Sequence, residues 1–406
     1  MKNRLLAAAV LAGCALLMTG CREKGKNHLE IFSTKMENQA ILQSFIDDYT
    51  QEHPEVTIEF NSPPDASTVL RTKLTKNRVP DIIFMGGDMT FRDMSEAEIL
   101  MDLSDMEEAG RIKEAYKEQV YNLNPDQEEK LFGLPYATNA EGIIYNVDIF
   151  NEQGLEIPKT WDELMDVCGK LESAGIQPFY FTLKDSWTGG PLWIPMTYDL
   201  AGMDFFLDRR EGKTTFLGTH EEAAEKILTL TQYGQKDLLG KGYDDGNIDF
   251  ANGKAAMMFQ GNWAIPNIQK ANPDVNLDMF ALPVTNDESK NAIISGIDVM
   301  PTIYKATKEE ELAKDFISFI FQDEKVKAYI EDQFAFPSVD TVVQDNASVA
   351  GVAEKFADDN IGDFADHYYP TGFDFTVTLQ TFVGSRGDVE EFLKKLDKEY
   401  DKYNSF

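Results

Sequence analysis

Seven short apolar runs, at 28–32, 56–60, 82–85, 142–145, 179–181, 255–259 and 279–282, have the length and the β-branched or aromatic content of buried strands. Amphipathic stretches of helical period separate them. A chain patterned this way is expected to fold as α/β layers, with helices covering largely parallel sheets. Between the first two runs Ala40, Ile41, Phe45, Ile46 and Tyr49 recur at helical spacing, and His53-Pro54 stops that helix. Val389, Phe392, Leu393, Leu396 and Tyr400 give a C-terminal helix one apolar face. Thr160-Trp161-Asp162-Glu163 and Thr307-Lys308-Glu309-Glu310 both have the form of a capping box. At 406 residues the chain exceeds one ordinary core and suits two lobes. Ligands of such sheets collect at the carboxyl ends of the strands, so candidate contacts are sought there.

The segment 249–263 supplies the clearest of them. A helix ends near Asn252, the run Ala255 to Phe259 lies between Gly253 and Gly261, and the chain then presents Asn262 and Trp263 beyond a strand end. An indole held there is a stacking surface, and the neighbouring amide supplies a donor and an acceptor. Carbohydrates, with C–H faces and hydroxyls, need that pairing. Trp161, beside the cap Thr160, packs the helix start instead, and Met85, Met257 and Met258 fill core.

Lys2 and Arg4 precede an apolar segment at 5–18, which Met18-Thr19-Gly20-Cys21 closes, the form of a secretory signal covering residues 1–20. The segment falls short of the ~20 apolar residues a bilayer-spanning helix needs. Its closing tetrapeptide resembles a lipobox. Cys21 would then be diacylated at sulfur, and residues 21–27 would tether the body to the outer face of the cell membrane. Leu11-Ala12-Gly13-Cys14 also fits that box but leaves too short an apolar region. Cys168 then has no disulfide partner, and His28, His53, His220 and His367 give it no local base, so it packs as a small apolar side chain.

A formal net charge of −32 argues against nucleic acid and anionic lipid headgroups as partners. No His-Glu-x-x-His, no Gly-x-Ser-x-Gly and no metal-spaced Cys/His cluster occurs. Gly212-Lys213-Thr214 lacks the first glycine of a P-loop, Leu207 standing in its place, and reads as a surface turn. Asp244-Asp245-Gly246-Asn247 lacks the alternation of a calcium loop. Neither catalysis, a metal nor a cofactor is expected.

Three blocks carry a family resemblance. Phe132-Gly133-Leu134-Pro135-Tyr136, with Gly142-Ile143-Ile144-Tyr145-Asn146 and Pro158-Lys159-Thr160-Trp161-Asp162-Glu163-Leu164, is the first. The second runs from Phe250 to Trp263, and the third is Ser295-Gly296-Ile297-Asp298-Val299 with the helix that follows Thr307. Their order and spacing resemble family 1 extracellular solute-binding proteins, the sugar receptors of bacterial ABC importers. The resemblance implies a type II periplasmic-binding-protein-like fold with two discontinuous lobes, 28–137 with 284–333 and 138–283 with 334–406. Chain crossings would fall near 135–139, 282–284 and 333–337, and the cleft between the lobes would close on ligand by hinge motion.

The same resemblance implies a site. Asp88 keeps a sugar-binding carboxylate, while Met85 stands where maltose-binding relatives carry a Trp, which counts against maltodextrin. Asn139 takes the place of a sugar-binding acid, and Trp263 matches a stacking Trp beside Asn262. Lys35, Glu37 and Asn38 fall where polar contacts are common, Trp187 and Trp193 flank a helix start, and Gly296 and Asp298 lie at the cleft rim. Glu37 has a plainer reading as a charge at its helix N-terminus, and Asp298 as a turn residue. The implied function is a monomeric, membrane-anchored receptor that binds a mono- or oligosaccharide and delivers it to ABC permease subunits. The alternatives are a receptor for a peptide, polyamine or other polar solute, a surface polysaccharide-acting enzyme, and a sensory lipoprotein without a transporter.

Overall fold

The computed structural model describes residues 27–63, 66–124 and 129–404; the signal segment, Cys21 and most of the tether lie outside them. Nine strands form one continuous set: β1 (His28–Ser33), β2 (Thr57–Asn61), β3 (Ile82–Met85), β4 (Ala137–Asn146), β5 (Met257–Gly261), β6 (Leu277–Phe280), β7 (Ile293–Ile303), β8 (Phe336–Pro337) and β9 (Ile361–Gly362). The main path runs β2-β1-β3-β7-β4-β5, with β6 and β8 added on β4 and β9 on β7. The architecture is two-lobed α/β. Strands β1 to β3 with the end of β7 make one half, and β5, β6 and the end of β4 make the other. Among the described residues β7 joins the two, pairing with β3 at one end and with β4 along the rest.

Three expectations need correction. The sheet is mixed rather than largely parallel: β1 pairs parallel with β2 and β3, and β7 with β9, but β4 meets β5, β6, β7 and β8 antiparallel, and β3 meets β7 antiparallel. One contributor is β7, a strand interrupted in sequence by Gly296, Asp298 and Pro301, which lies antiparallel to both β3 and β4. Its residues 294–299 pair with β4, residues 293–294 with β9 and residues 300–303 with β3.

The run 179–181 forms no strand. Phe179 makes one isolated bridge to Met257, and the backbone of Phe181 bonds at both ends to the Gln235 side chain, at 2.9 and 2.5 Å, which replaces a ladder partner. Both rings pack on Phe259, with centroids 4.5 and 5.6 Å away. Thr307 caps no helix. The helix Glu310–Ile320 begins after Glu309, and the Thr307 hydroxyl accepts from the Glu309 amide at 3.1 Å while donating to Asp81 at 2.7 Å.

Other elements form where the pattern places them. The helix Gln39–Glu52 buries Leu42, Phe45, Ile46 and Tyr49 and ends at His53. The helix Val389–Asn404 buries Phe392, Leu393, Leu396 and Tyr400. Met85, Met257, Met258 and Cys168 are buried, and burial pushes the Cys168 thiol up to about 12. Trp161 lies beneath the Lys226 ammonium, 3.9 Å from its ring centre. The helix Trp161–Ser173 starts with a complete capping box, in which the Thr160 hydroxyl accepts from the Glu163 amide and the Glu163 carboxylate accepts from the Thr160 amide. Thr160→Ala should therefore cost about 1 kcal/mol of stability, read as a lowered denaturant midpoint with an unchanged slope.

Candidate functional site

The register of β4 against β7 slips by one residue between Ala137 and Thr138: Ala137 faces Val299, while Thr138 faces Ile297. Asp298 is the extra residue, and a bulge of this kind re-aims its side chain. Its carboxylate forms an ion pair with Lys35, from the loop after β1, and accepts from the Asn139 amide at 2.9 Å. Asn139 in turn accepts from Asn262 at 3.1 Å. Fully buried Asn262 also accepts from the Ala140 backbone N–H at 2.7 Å and donates to the Phe334 carbonyl at 2.6 Å. Lys35, Asp298, Asn139 and Asn262 thus form one polar chain across the crossing strands. Three of the four hydrogen-bonding positions of the Asn262 amide are used inside the protein, so it acts chiefly as a brace.

Trp263 follows it in a short 3-10 turn. Its indole N–H donates to Gln260 at 3.1 Å, and the ring lies over Gly261, where any β-carbon would collide with it. Trp187 is 45% exposed, and its ring centroid is 4.9 Å from that of Tyr243. Tyr243 is anchored by its backbone N–H on Asp185 at 2.8 Å, and its hydroxyl reaches the Trp263 carbonyl at 3.5 Å. Trp187 and Tyr243 therefore form an aromatic pair, tied by the Tyr243 hydroxyl to the backbone of Trp263. Tyr243 was not anticipated, because the only pattern around it was the failed calcium loop.

Trp193 must be removed from the candidate set. It is 0% exposed, stacked near His220 and set edge-on to Phe392 at 5.4 Å, and its N–H points at the Tyr369 hydroxyl at 3.4 Å. Six residues separate it from Trp187, a little under two helical turns, and the helix Gly190–Ala201 turns it into the core. His220 beside it is held neutral, its pKa lowered by burial to about 3.

Asp88 caps the helix Met89–Glu96, its Oδ1 accepting from the amides of Thr90 and Phe91 at 2.8 and 3.2 Å. It borders a cavity of about 320 Å³ whose opposite wall comes from residues 366–376, with Asp366 and Tyr369 among them. A larger cavity of about 440 Å³, between Lys113 and Phe356, touches none of the candidates. Next to Asp366, buried Asp363 accepts from the Tyr368 hydroxyl and pairs with His367 at 3.6 Å. Burial alone would lower the His367 pKa, but Asp363, Asp366 and Asp88 hold it up at about 9. The Asp366 carboxyl is raised, first by burial and then by Asp363 and Asp88, against the lowering effect of His367. Asp366 and His367 had no local pattern to announce them.

Glu37 is exposed, its carbonyl accepting from Gln333 at 3.1 Å. Gly296 faces Asn139 across the ladder, and a β-carbon there would strike Phe364 and crowd Asp363 and His367. Among the described residues no group of His, Cys, Asp and Glu could hold a metal ion, and no helix is long and apolar enough to cross a membrane.

The chain matches the family model for bacterial extracellular solute-binding proteins over residues 33–327, and it belongs to that family. Membership makes it a solute-binding protein of transport systems, not an enzyme. It is 27% identical over 376 residues to a multiple sugar-binding protein of Streptococcus mutans, covering 90% of this chain and 86% of that one. It is 22% identical to the melibiose/raffinose/stachyose-binding protein of Bacillus subtilis, covering 97% and 94%. Among solved structures it superposes on apo RafE from Streptococcus pneumoniae with a TM-score of 0.83 at 22% identity, over 94% of this chain and all of that one. On RafE in complex with raffinose the TM-score is 0.76 at 23% identity, over 93% and 99%. These likenesses fix the fold.

The two helix-start tryptophans should separate cleanly by stability. Trp193→Ala should cost ~3–5 kcal/mol as a core truncation, whereas Trp187→Ala should stay within about 1 kcal/mol, both read from chemical denaturation of the ligand-free protein.

Proposed function

We propose that this protein is the carbohydrate receptor of an ABC importer, capturing a mono- or oligosaccharide outside the cell and delivering it to permease subunits. The observation that supports this most is the half-exposed Trp187 paired with Tyr243 and tied to the backbone of Trp263, together with Asp88 and Asp366, which line one cavity. Stacked rings hold sugar C–H faces, and the carboxylates offset their own desolvation by accepting from hydroxyls. The relatives agree in kind: one binds multiple sugars, another melibiose, raffinose and stachyose, and a solved neighbour holds raffinose. Galactosides of the raffinose type are therefore the first ligands to test.

In this reading Glu37, Asp88, Gly296 and Trp263 border the ligand, and Asn139, Asn262 and Asp298 contribute through the polar chain. The lobes are 28–137 with 284–333, and 138–283 with 334–406. The receptor acts as a monomer held to the membrane by a lipid on Cys21, and Cys21→Ser should move it from the membrane fraction to the medium. A second reading, a cationic solute such as a polyamine or peptide, draws on the carboxyls of Asp88, Asp363 and Asp366.

Melting of the protein begun after Cys21, against mono- and oligosaccharides with peptides and polyamines as controls, separates the two. A ligand at 100 times its dissociation constant should add ~2.7 kcal/mol and raise the melting temperature. A shift with polyamines alone would replace the sugar reading. For a sugar that does bind, Trp263→Ala should weaken affinity at least about tenfold with the fold intact, since a lost stacking partner at a dry site is worth over ~1 kcal/mol.

A further inference from the structure

Glu141, on β4, is 2% exposed, and its Oε1 has no hydrogen-bond partner. Its place follows from the ladder. Side chains alternate along β4, so Glu141 shares a face with Asn139 and Ile143, while Ala140 and Ile144 face a separate core with Met258 and Met279. Directly opposite it on β5 is Gly261; on β7 its partner is Ile294, and Gly296, the partner of Asn139, lies diagonally from it on the same face. Neither glycine could carry a side chain. The Trp263 indole fills the space over Gly261, and Phe364, Asp363 and His367 fill it over Gly296. Glu141 therefore lies on the sheet face between the Trp263 indole and the Asp363–His367 group. Its carboxyl is raised well above the usual range, first by burial and then by Asp366.

A buried carboxyl with an unpaired oxygen is a standing cost in the ligand-free protein, and packing offers no compensation for it. We propose that Glu141 is a specificity-determining residue of the sugar site, whose unpaired carboxyl oxygen completes its hydrogen bonding with a hydroxyl of the bound ligand. The proposal rests on the carbohydrate reading above. A neutral carboxyl both donates and accepts, so it matches a hydroxyl, which does the same. A sugar lacking that hydroxyl leaves the carboxyl unpaired and is rejected, the way buried polar groups discriminate most sharply.

Two substitutions test this, with raffinose titrated calorimetrically into wild type and both variants and with the melting of each ligand-free protein measured alongside. Glu141→Leu should lose at least tenfold in affinity while melting at or above the wild-type temperature, because it removes an orphan polar group. Glu141→Gln, which keeps a donor and an acceptor, should hold affinity within about threefold. Unchanged affinity in Glu141→Leu would overturn the inference and leave the receptor reading standing. A large fall in its ligand-free melting temperature would overturn it too, by making Glu141 structural. If wild type binds neither raffinose nor any other sugar, the receptor reading fails and this inference falls with it.

Discussion

The slip in register at Asp298 is the constraint on which the site depends. Without the extra residue, β4 and β7 would pair evenly and Asp298 would occupy an ordinary ladder position. With it, one carboxylate turns to meet Lys35 from the first strand's loop and Asn139 from the neighbouring strand, and Asn139 then holds Asn262. The other face of the same ladder is tied just as firmly. The hydroxyls of Tyr116, Ser295 and Thr138 meet there in a buried group, and Gln119 donates to the Ser295 carbonyl at 2.8 Å. Polar groups buried on both sides of two crossing strands fix their register, because any slip would strand several of them unpaired.

That fixed ladder lets two glycines act as seats. Gly261 lies directly opposite Glu141 and Gly296 diagonally from it, and the absence of a β-carbon at each admits a large group from another segment, the Trp263 indole in one case and the Phe364 and His367 rings in the other. This face is therefore assembled from three distant parts of the chain, around 139–141, 260–263 and 363–367. Rotation of Trp263 off Gly261 would open space on this face and break its bond to Gln260.

Much of the fold was legible where one local pattern sufficed. The single apolar face of the helix Gln39–Glu52 and the box at Thr160 depend on neighbours three or four residues apart, and both formed as the sequence implied. Patterns that depend on distant partners were less readable. Phe179 and Phe181 have strand composition, but the Gln235 side chain satisfies the backbone of Phe181. Strand β7 hides behind a glycine, an aspartate and a proline that each have a positional reason: a seat, a bulge and a pairing with Phe84. In the site, Trp263 could be read from its place at a strand end. Trp187 and Trp193 could not be told apart, since composition is the same and only the helix phase differs. Tyr243, Asp366 and His367 join the site through tertiary contact alone.

The charge of the chain takes on a particular form at the site. A net charge of −32 makes an acidic cleft unremarkable, but its carboxylates are not equivalent. Asp88 is held by two helix amides, Asp298 by Lys35 and Asn139, and Asp363 by Tyr368, the Phe364 amide and His367. Each of these is compensated before any ligand arrives, so each can point a spare lone pair at a hydroxyl without reorganising. Glu141 differs from all of these: it is buried, its Oε1 has no hydrogen-bond partner, and burial raises its carboxyl well above the usual range. A ligand that brings a hydroxyl to that group relieves a cost the empty protein carries. That relief is differential free energy between the empty and the filled states, the only kind that can drive a closing motion. Under the receptor reading, the fixed carboxylates orient the ligand's hydroxyls, and the unpaired Glu141 carboxyl favours the filled state over the empty one.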